Sequence, residues 1–84
     1  MIEIAFYIPG LRDGDNVIRI GHALEVFAGV HYHVDTAHDI VYIDMESAVT
    51  TLAQLTQVFQ EIGLNPRVVG KVPEALTPTA AGVG

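Results

Sequence analysis

Cysteine is absent from the 84 residues, which excludes disulfides, iron–sulfur clusters, zinc ribbons and every thiolate ligand or nucleophile from this chain. Basic residues are scarce: four Lys plus Arg stand against ten Asp plus Glu, a formal net charge of −6. Without a basic footprint to displace counterions from phosphates, neither nucleic acid nor an anionic membrane surface is expected as a partner. An acidic balance suits cations or basic protein patches, and equally plain solubility. Long apolar runs are missing too. Half the residues are hydrophobic, but Gly, Pro and polar clusters interrupt them well short of the ~20 residues a membrane-crossing helix needs. Met1 to Pro9 alternates like a strand and has no positive region, so it does not read as a secretory leader, and a cytoplasmic location is expected. No nucleotide loop, nucleophile motif or paired-acid constellation is visible, so a binding module is expected rather than an enzyme.

What is there is a clear pattern of periods. Ile2, Ile4, Phe6 and Ile8 alternate with Glu3, Ala5 and Tyr7, the period of a half-buried strand. Pro9 to Gly14 breaks the pattern, and Val17, Ile20, Leu24 and Phe27 then recur at helical spacing, with Asp13 or Asp15 to cap the helix and Gly29 to stop it. Period two returns at His31 and again, after a polar break at Ala37 to Asp39, from Ile40 to Met45, with Val41, Ile43 and Met45 pointing inward. Leu52, Leu55, Phe59 and Ile62 repeat the helical spacing, with Ser47 and Thr50 as candidate caps and Gly63 as the stop. Arg67 to Val72 reads as a last, short strand at a sheet edge, after which the pattern disappears. The order is strand, helix, strand, strand, helix, strand. It predicts an α+β, ferredoxin-like βαββαβ sandwich, a four-stranded antiparallel sheet with two helices on one face. The predicted core is Phe6, Leu24, Phe27, Val41, Ile43, Leu55, Phe59 and Ile62. The domain is expected to span 1–72, with 73–84 a flexible C-terminal tail that has nothing to bury.

The stretch from Ile4 to Val69 resembles the heavy-metal-associated domains, the family of copper chaperones and of the N-terminal modules of metal-transporting ATPases. The resemblance rests on Pro9-Gly10 after the first strand, Gly29-Val30 after the first helix, Val34-Asp35 in the second strand, and Ile62-Gly63-Leu64 closing the second helix. Together these cover about four fifths of the chain. The family's chemistry lies in a Met-x-Cys-x-x-Cys loop directly after Pro-Gly. Here Leu11 keeps the apolar Met position, while Asp13 and Asn16 stand where the two thiolates would be. Soft sulfur ligands that suit Cu(I) have become hard oxygens, so Cu(I) affinity is expected to be lost. Leu64 replaces the Tyr or Lys that the family often carries beside the metal.

Two clusters remain as candidate sites. Asp13, Asp15 and Asn16 gather three oxygen-bearing side chains in one loop; hard cations take such ligands, though the same residues serve as helix caps and turn formers. His31, His33 and Asp35 alternate on one face of one strand, and imidazole is a common ligand for borderline metals such as Zn²⁺. The family's sheet order 4-1-3-2 would make that strand an edge, with Tyr42 and Asp44 nearby on the same outer face. Polar side chains on an exposed edge also serve to block unwanted strand pairing. The expected function is therefore a cysteine-free, heavy-metal-associated-like module that binds Zn²⁺ or another divalent metal through nitrogen and oxygen ligands. Its alternative is a metal-free interaction or accessory subunit of a larger assembly. A protein partner, or a second copy docked through the edge strand, fits either one.

Overall fold

The alternation at the N-terminus forms the first strand, β1 (Ile2–Tyr7), in a computed structural model that describes residues 1–76. Ile4 and Phe6 face inward and are buried, as is Ile8 just beyond the strand. The first helix, α1 (Gly14–Leu24), starts at Asp13, whose carboxylate accepts the Asp15 N–H at 3.0 Å and so satisfies one of the free donors of the first turn. Ile20 and Leu24 form its buried stripe. The helix ends about one turn earlier than its spacing predicts. Beyond Leu24 the chain makes successive turns, with Phe27 N–H bonded to the Leu24 carbonyl and Val30 N–H to that of Phe27. Phe27 reaches the core edge from this turn and is only partly buried. Spacing alone does not separate a last helical turn from a turn that places the same side chain on the same side.

Strands β2 (Val30–Asp35) and β3 (Ile40–Met45) form the predicted hairpin. Antiparallel pairing sets Tyr32 against Ile43 across the hairpin, and Ile43 against Ile4 and Val41 against Phe6 on the other side of β3. The second helix, α2 (Leu52–Glu61), is capped by Thr51 rather than by Ser47 or Thr50: Thr51 and Gln54 form a reciprocal capping box. Thr50 is buried and donates its hydroxyl to Gln54 Oε1 at 3.0 Å, so it supports the cap from outside. At the other end Gly63 takes φ +87, which a side chain would resist. Its N–H reaches the Gln60 carbonyl and the Leu64 N–H that of Phe59, each at 3.0 Å, the Schellman arrangement, with Leu64 and Phe59 buried as its apolar pair.

The last strand, β4 (Arg67–Val69), is shorter than predicted and pairs with β1, giving the sheet order β2-β3-β1-β4 with β2 and β4 at the edges. All neighbouring strands are antiparallel. The buried side chains of both helices and the inner sheet face make one cluster, in which Phe6 and Phe59 meet edge to face with centroids 5.2 Å apart. Packing continues past the expected boundary at residue 72. Glu74–Leu76 forms a 3₁₀ turn, and Leu76 is fully buried in the core. The expectation of nothing to bury after Pro73 is thus corrected at Leu76, a single apolar residue in a stretch without periodicity. The remainder of the predicted tail, 77–84, lies outside the described residues.

Candidate functional site

The loop after β1 is held by bonds made within itself and from the hairpin. Gly10, at φ +98, offers its carbonyl to the Asp13 N–H (3.1 Å) and to Asn16 Nδ2 (2.9 Å). A Cβ at Gly10 would come within 3.1 Å of that Asn16 nitrogen, so the tight turn and the Asn16 bond go together. Leu11 is fully buried and anchors the loop in the core. Its N–H is taken by Asp39 Oδ1 at 3.1 Å, while the Asp39 carbonyl accepts the Ile8 N–H at 2.7 Å. Asp39 sits at φ +57, a left-handed position that Asp tolerates better than most residues. This clamp between the hairpin tip and the loop escaped the sequence reading. Its only sequence signal is an Asp at the end of a tight turn.

Asp13, Asp15 and Asn16 therefore form a capped helix start. Asp13 accepts from Asp15 N–H, and Asn16 donates to Gly10. No buried side-chain polar atom is left without a partner among the described residues, so nothing there points an unsatisfied group at a missing ion.

His31 and His33 are both exposed, on the sheet face that carries no helix. The register sets Asp44 opposite His31 and Tyr42 opposite His33. The His33 and Tyr42 rings stack with centroids 6.3 Å apart and planes 26° from parallel. Asp35 is differently engaged. As the last residue of β2 it turns its carboxylate into the hairpin: Oδ1 accepts the Ala37 and His38 N–H groups at 3.1 and 3.2 Å, and Oδ2 lies 2.9 Å from His38 Nδ1. The side-chain bond to His38 holds Asp35 below the usual carboxylate range, opposed by desolvation and aided by the backbone bonds from His38 and Ala37 and by the charge of His38. His38 is thus the partner of Asp35, at an i, i+3 spacing visible in the sequence. Among the described residues no three His, Cys, Asp or Glu side chains come together to hold a metal ion. The outer face also carries a shallow depression of about 290 Å³ lined by Glu3, Ala5, Tyr42, Asp44, Val69 and Lys71.

Several solved structures share this backbone. The N-terminal domain of a potential copper-translocating P-type ATPase from Bacillus subtilis, in its Cu(I)-loaded state, superposes with a TM-score of 0.72 at 18% identity, covering 92% of this chain and 96% of that one. A putative copper-ion-binding protein from Bacillus anthracis gives a TM-score of 0.67 at 23% identity, with 77% and 93% covered. The N-terminal domain of ZntA in its apo form gives 0.70 at 18% identity, with 82% and 93% covered. The chain has the heavy-metal-associated fold. No protein-family model and no curated protein matches the sequence. In the heavy-metal-associated fold of this chain, Leu64 is buried as part of the α2 stop, and the loop positions of the family's thiolates hold a helix cap and a turn bond. None of the helices among the described residues is long and apolar enough to cross a membrane.

Proposed function

We propose that this chain is a metal-ion-binding module of the heavy-metal-associated fold that uses nitrogen and oxygen ligands for a borderline divalent ion such as Zn²⁺, with His31 and His33 as its donor pair. The observation that carries this reading is that both imidazoles stand exposed on one face of an edge strand, with the Asp44 carboxylate opposite His31. Support comes from the fold, whose solved neighbours include domains described as loaded with Cu(I) and with Zn(II). The loop is not favoured, because Asp13 and Asn16 are engaged in capping and turn bonds and offer no thiolate. Imidazole ligates only when neutral, so binding weakens as the pH falls. Zinc titration by calorimetry at neutral pH tests the reading: heat from the wild type, lost when both histidines become Ala, supports it. Equal heats, or none from the wild type, refute it.

A second reading has its own observation. Tyr7, Tyr42 and Val69 are exposed together on the helix-free face, and the described residues gather no three metal donors. These fit a metal-free docking module for a protein partner. Native mass spectrometry with and without chelator separates the two, since it reports bound metal and subunit number together.

A further inference from the structure

The donor pair is incomplete within one chain. His31 and His33 lie two residues apart on a strand, roughly 6 to 7 Å between their backbones, and a tetrahedral ion wants four ligands at about 2.0–2.1 Å from imidazole nitrogen. Asp35, the third residue of the alternation, is committed to His38 and its own turn. Among the described residues no third His, Cys, Asp or Glu joins the pair, and a second copy of the chain can supply what is missing.

The strand that carries the histidines is a sheet edge. His31, Tyr32 and His33 are consecutive exposed residues, although Tyr32 faces the helix side and pairs with buried Ile43. The tip of Tyr32 lies over Gly21 of α1, where a Cβ would come within 2.7 Å of its hydroxyl, and the residue nevertheless stays 44% exposed. The middle of β2 is therefore open to a neighbouring strand.

We propose that two copies of this chain pair their β2 edges antiparallel about a two-fold axis at Tyr32, and that the four imidazoles so gathered, His31 and His33 from each, hold one Zn²⁺-class ion. The inference rests on the nitrogen-ligand reading above. Among the symmetric registers, the one centred on Tyr32 gathers all four histidines around the axis. With Tyr32 opposite its own copy, His31 of one chain faces His33 of the other, and both pairs fall on the outer face. Directly opposed residues have Cβ atoms about 4.5–5.5 Å apart, so four imidazole stems stand at the corners of a rectangle that one ion on the axis can close. A pairing slipped by one residue, with the axis between two residues, would set Tyr32 opposite a histidine and put the helices of the two copies on opposite sides of the joined sheet. Such a two-fold contact is self-complementary, as a closed dimer requires.

Groups behind the imidazoles fit the same purpose. Asp44 stands opposite His31 on β3, placed to accept the imidazole N–H that does not face the ion, and Tyr42 stacks on His33. A carboxylate behind a ligating histidine fixes its tautomer and raises its basicity.

Sedimentation or native mass spectrometry of the full chain, titrated with Zn²⁺ after chelator treatment, tests the proposal. The expected result is a doubling of mass at one zinc per two chains. His31→Ala should abolish both. Tyr32→Lys keeps every ligand but sets like charges against each other at the axis; it should bind zinc far more weakly and remain monomeric. Asp44→Asn should keep the stoichiometry and lose about 10-fold or more in affinity. Circular dichroism of each variant checks that it is folded. One zinc per chain without a change of mass, or a Tyr32→Lys variant that binds zinc like the wild type, overturns the dimer and leaves the metal-binding reading standing. No zinc uptake by the wild type overturns both.

Discussion

Replacing Asp13 and Asn16 together by cysteine exchanges two structural hydrogen bonds for two thiolates at positions fixed by the loop. Asp13 caps α1 through the Asp15 N–H, and loss of such a cap costs about 0.5–2 kcal/mol. Asn16 holds the Gly10 carbonyl at 2.9 Å, an exposed bond worth about 0.5–1.5 kcal/mol. The metal-free double variant should therefore be destabilised by about 2 kcal/mol, which for a domain of this size lowers Tm by roughly 8–16 °C. The backbone should persist nonetheless. Leu11 stays in the core, and Asp39 still holds the Ile8 and Leu11 N–H groups. A thiolate at the first turn of a helix is favoured by the helix dipole. The variant should bind Cu(I) more tightly than the wild type, and ion binding should restore its stability. Thermal melts with and without Cu(I), and competition against a chromophoric chelator, measure both effects. An undiminished Tm in the metal-free variant would mean that the two bonds do not hold the loop. Complete failure to gain Cu(I) would mean that the loop backbone is not the one described.

Phe59→Ala removes a fully buried ring that meets Phe6 edge to face, and should cost about 3–5 kcal/mol in denaturant melts; a loss below ~1 kcal/mol would contradict its place in the core. Leu76→Ala should cost about 2–5 kcal/mol, as for any buried leucine, and an effect within ~0.5 kcal/mol would return Leu76 to the tail. Asp35 is held below its ordinary range in the folded chain, so its contribution is present above the unfolded carboxylate value, about 3.9, and is lost as the pH falls through the lower folded value. The stability difference between wild type and Asp35→Asn should accordingly shrink as the pH falls below the ordinary carboxylate range; a difference that persists undiminished there would contradict the bonds that hold Asp35.

Alternation was enough to place the first three strands, though not the end of β4, because one buried face leaves no choice of side: Ile4, Phe6, Val41 and Ile43 point inward as their spacing requires. Helix limits were less legible, since Phe27 continues the helical spacing from a turn and the α2 cap depends on the Thr51–Gln54 pair rather than on the nearest serine. Leu76 gave no signal at all, because burial of one residue in an aperiodic segment is decided by where the chain returns. The candidate site shows the same division. Pleat geometry put His31 and His33 on the outer face of an edge strand, and the register adds Asp44 and Tyr42 beside them. It did not reveal that Asp35, though in phase with the histidines, rotates into the hairpin, where two backbone N–H groups and His38 compete for it. The Asp39 clamp was out of reach because its partners lie in a loop far away in sequence.

The charge of the chain bears on when the β2 edges can meet. Each copy carries a formal −6, and the pairing brings Asp44 of both copies toward one axis on the same face. Self-repulsion then opposes the metal-free dimer, most strongly at low salt, where the screening length exceeds the ~8 Å of physiological ionic strength. A divalent cation on the axis offsets that repulsion where the acidic groups are closest. Because each β2 edge offers two imidazoles to the shared site, binding of the ion and pairing of the chains are linked by mass action, and each stabilises the other. Zinc occupancy should therefore depend on protein concentration. Diluting the loaded chain at constant free zinc should release the ion as the dimer separates, measured by a zinc indicator alongside sedimentation. Four ligands within one chain would hold their ion at any chain concentration, so occupancy unchanged on dilution would refute the shared site.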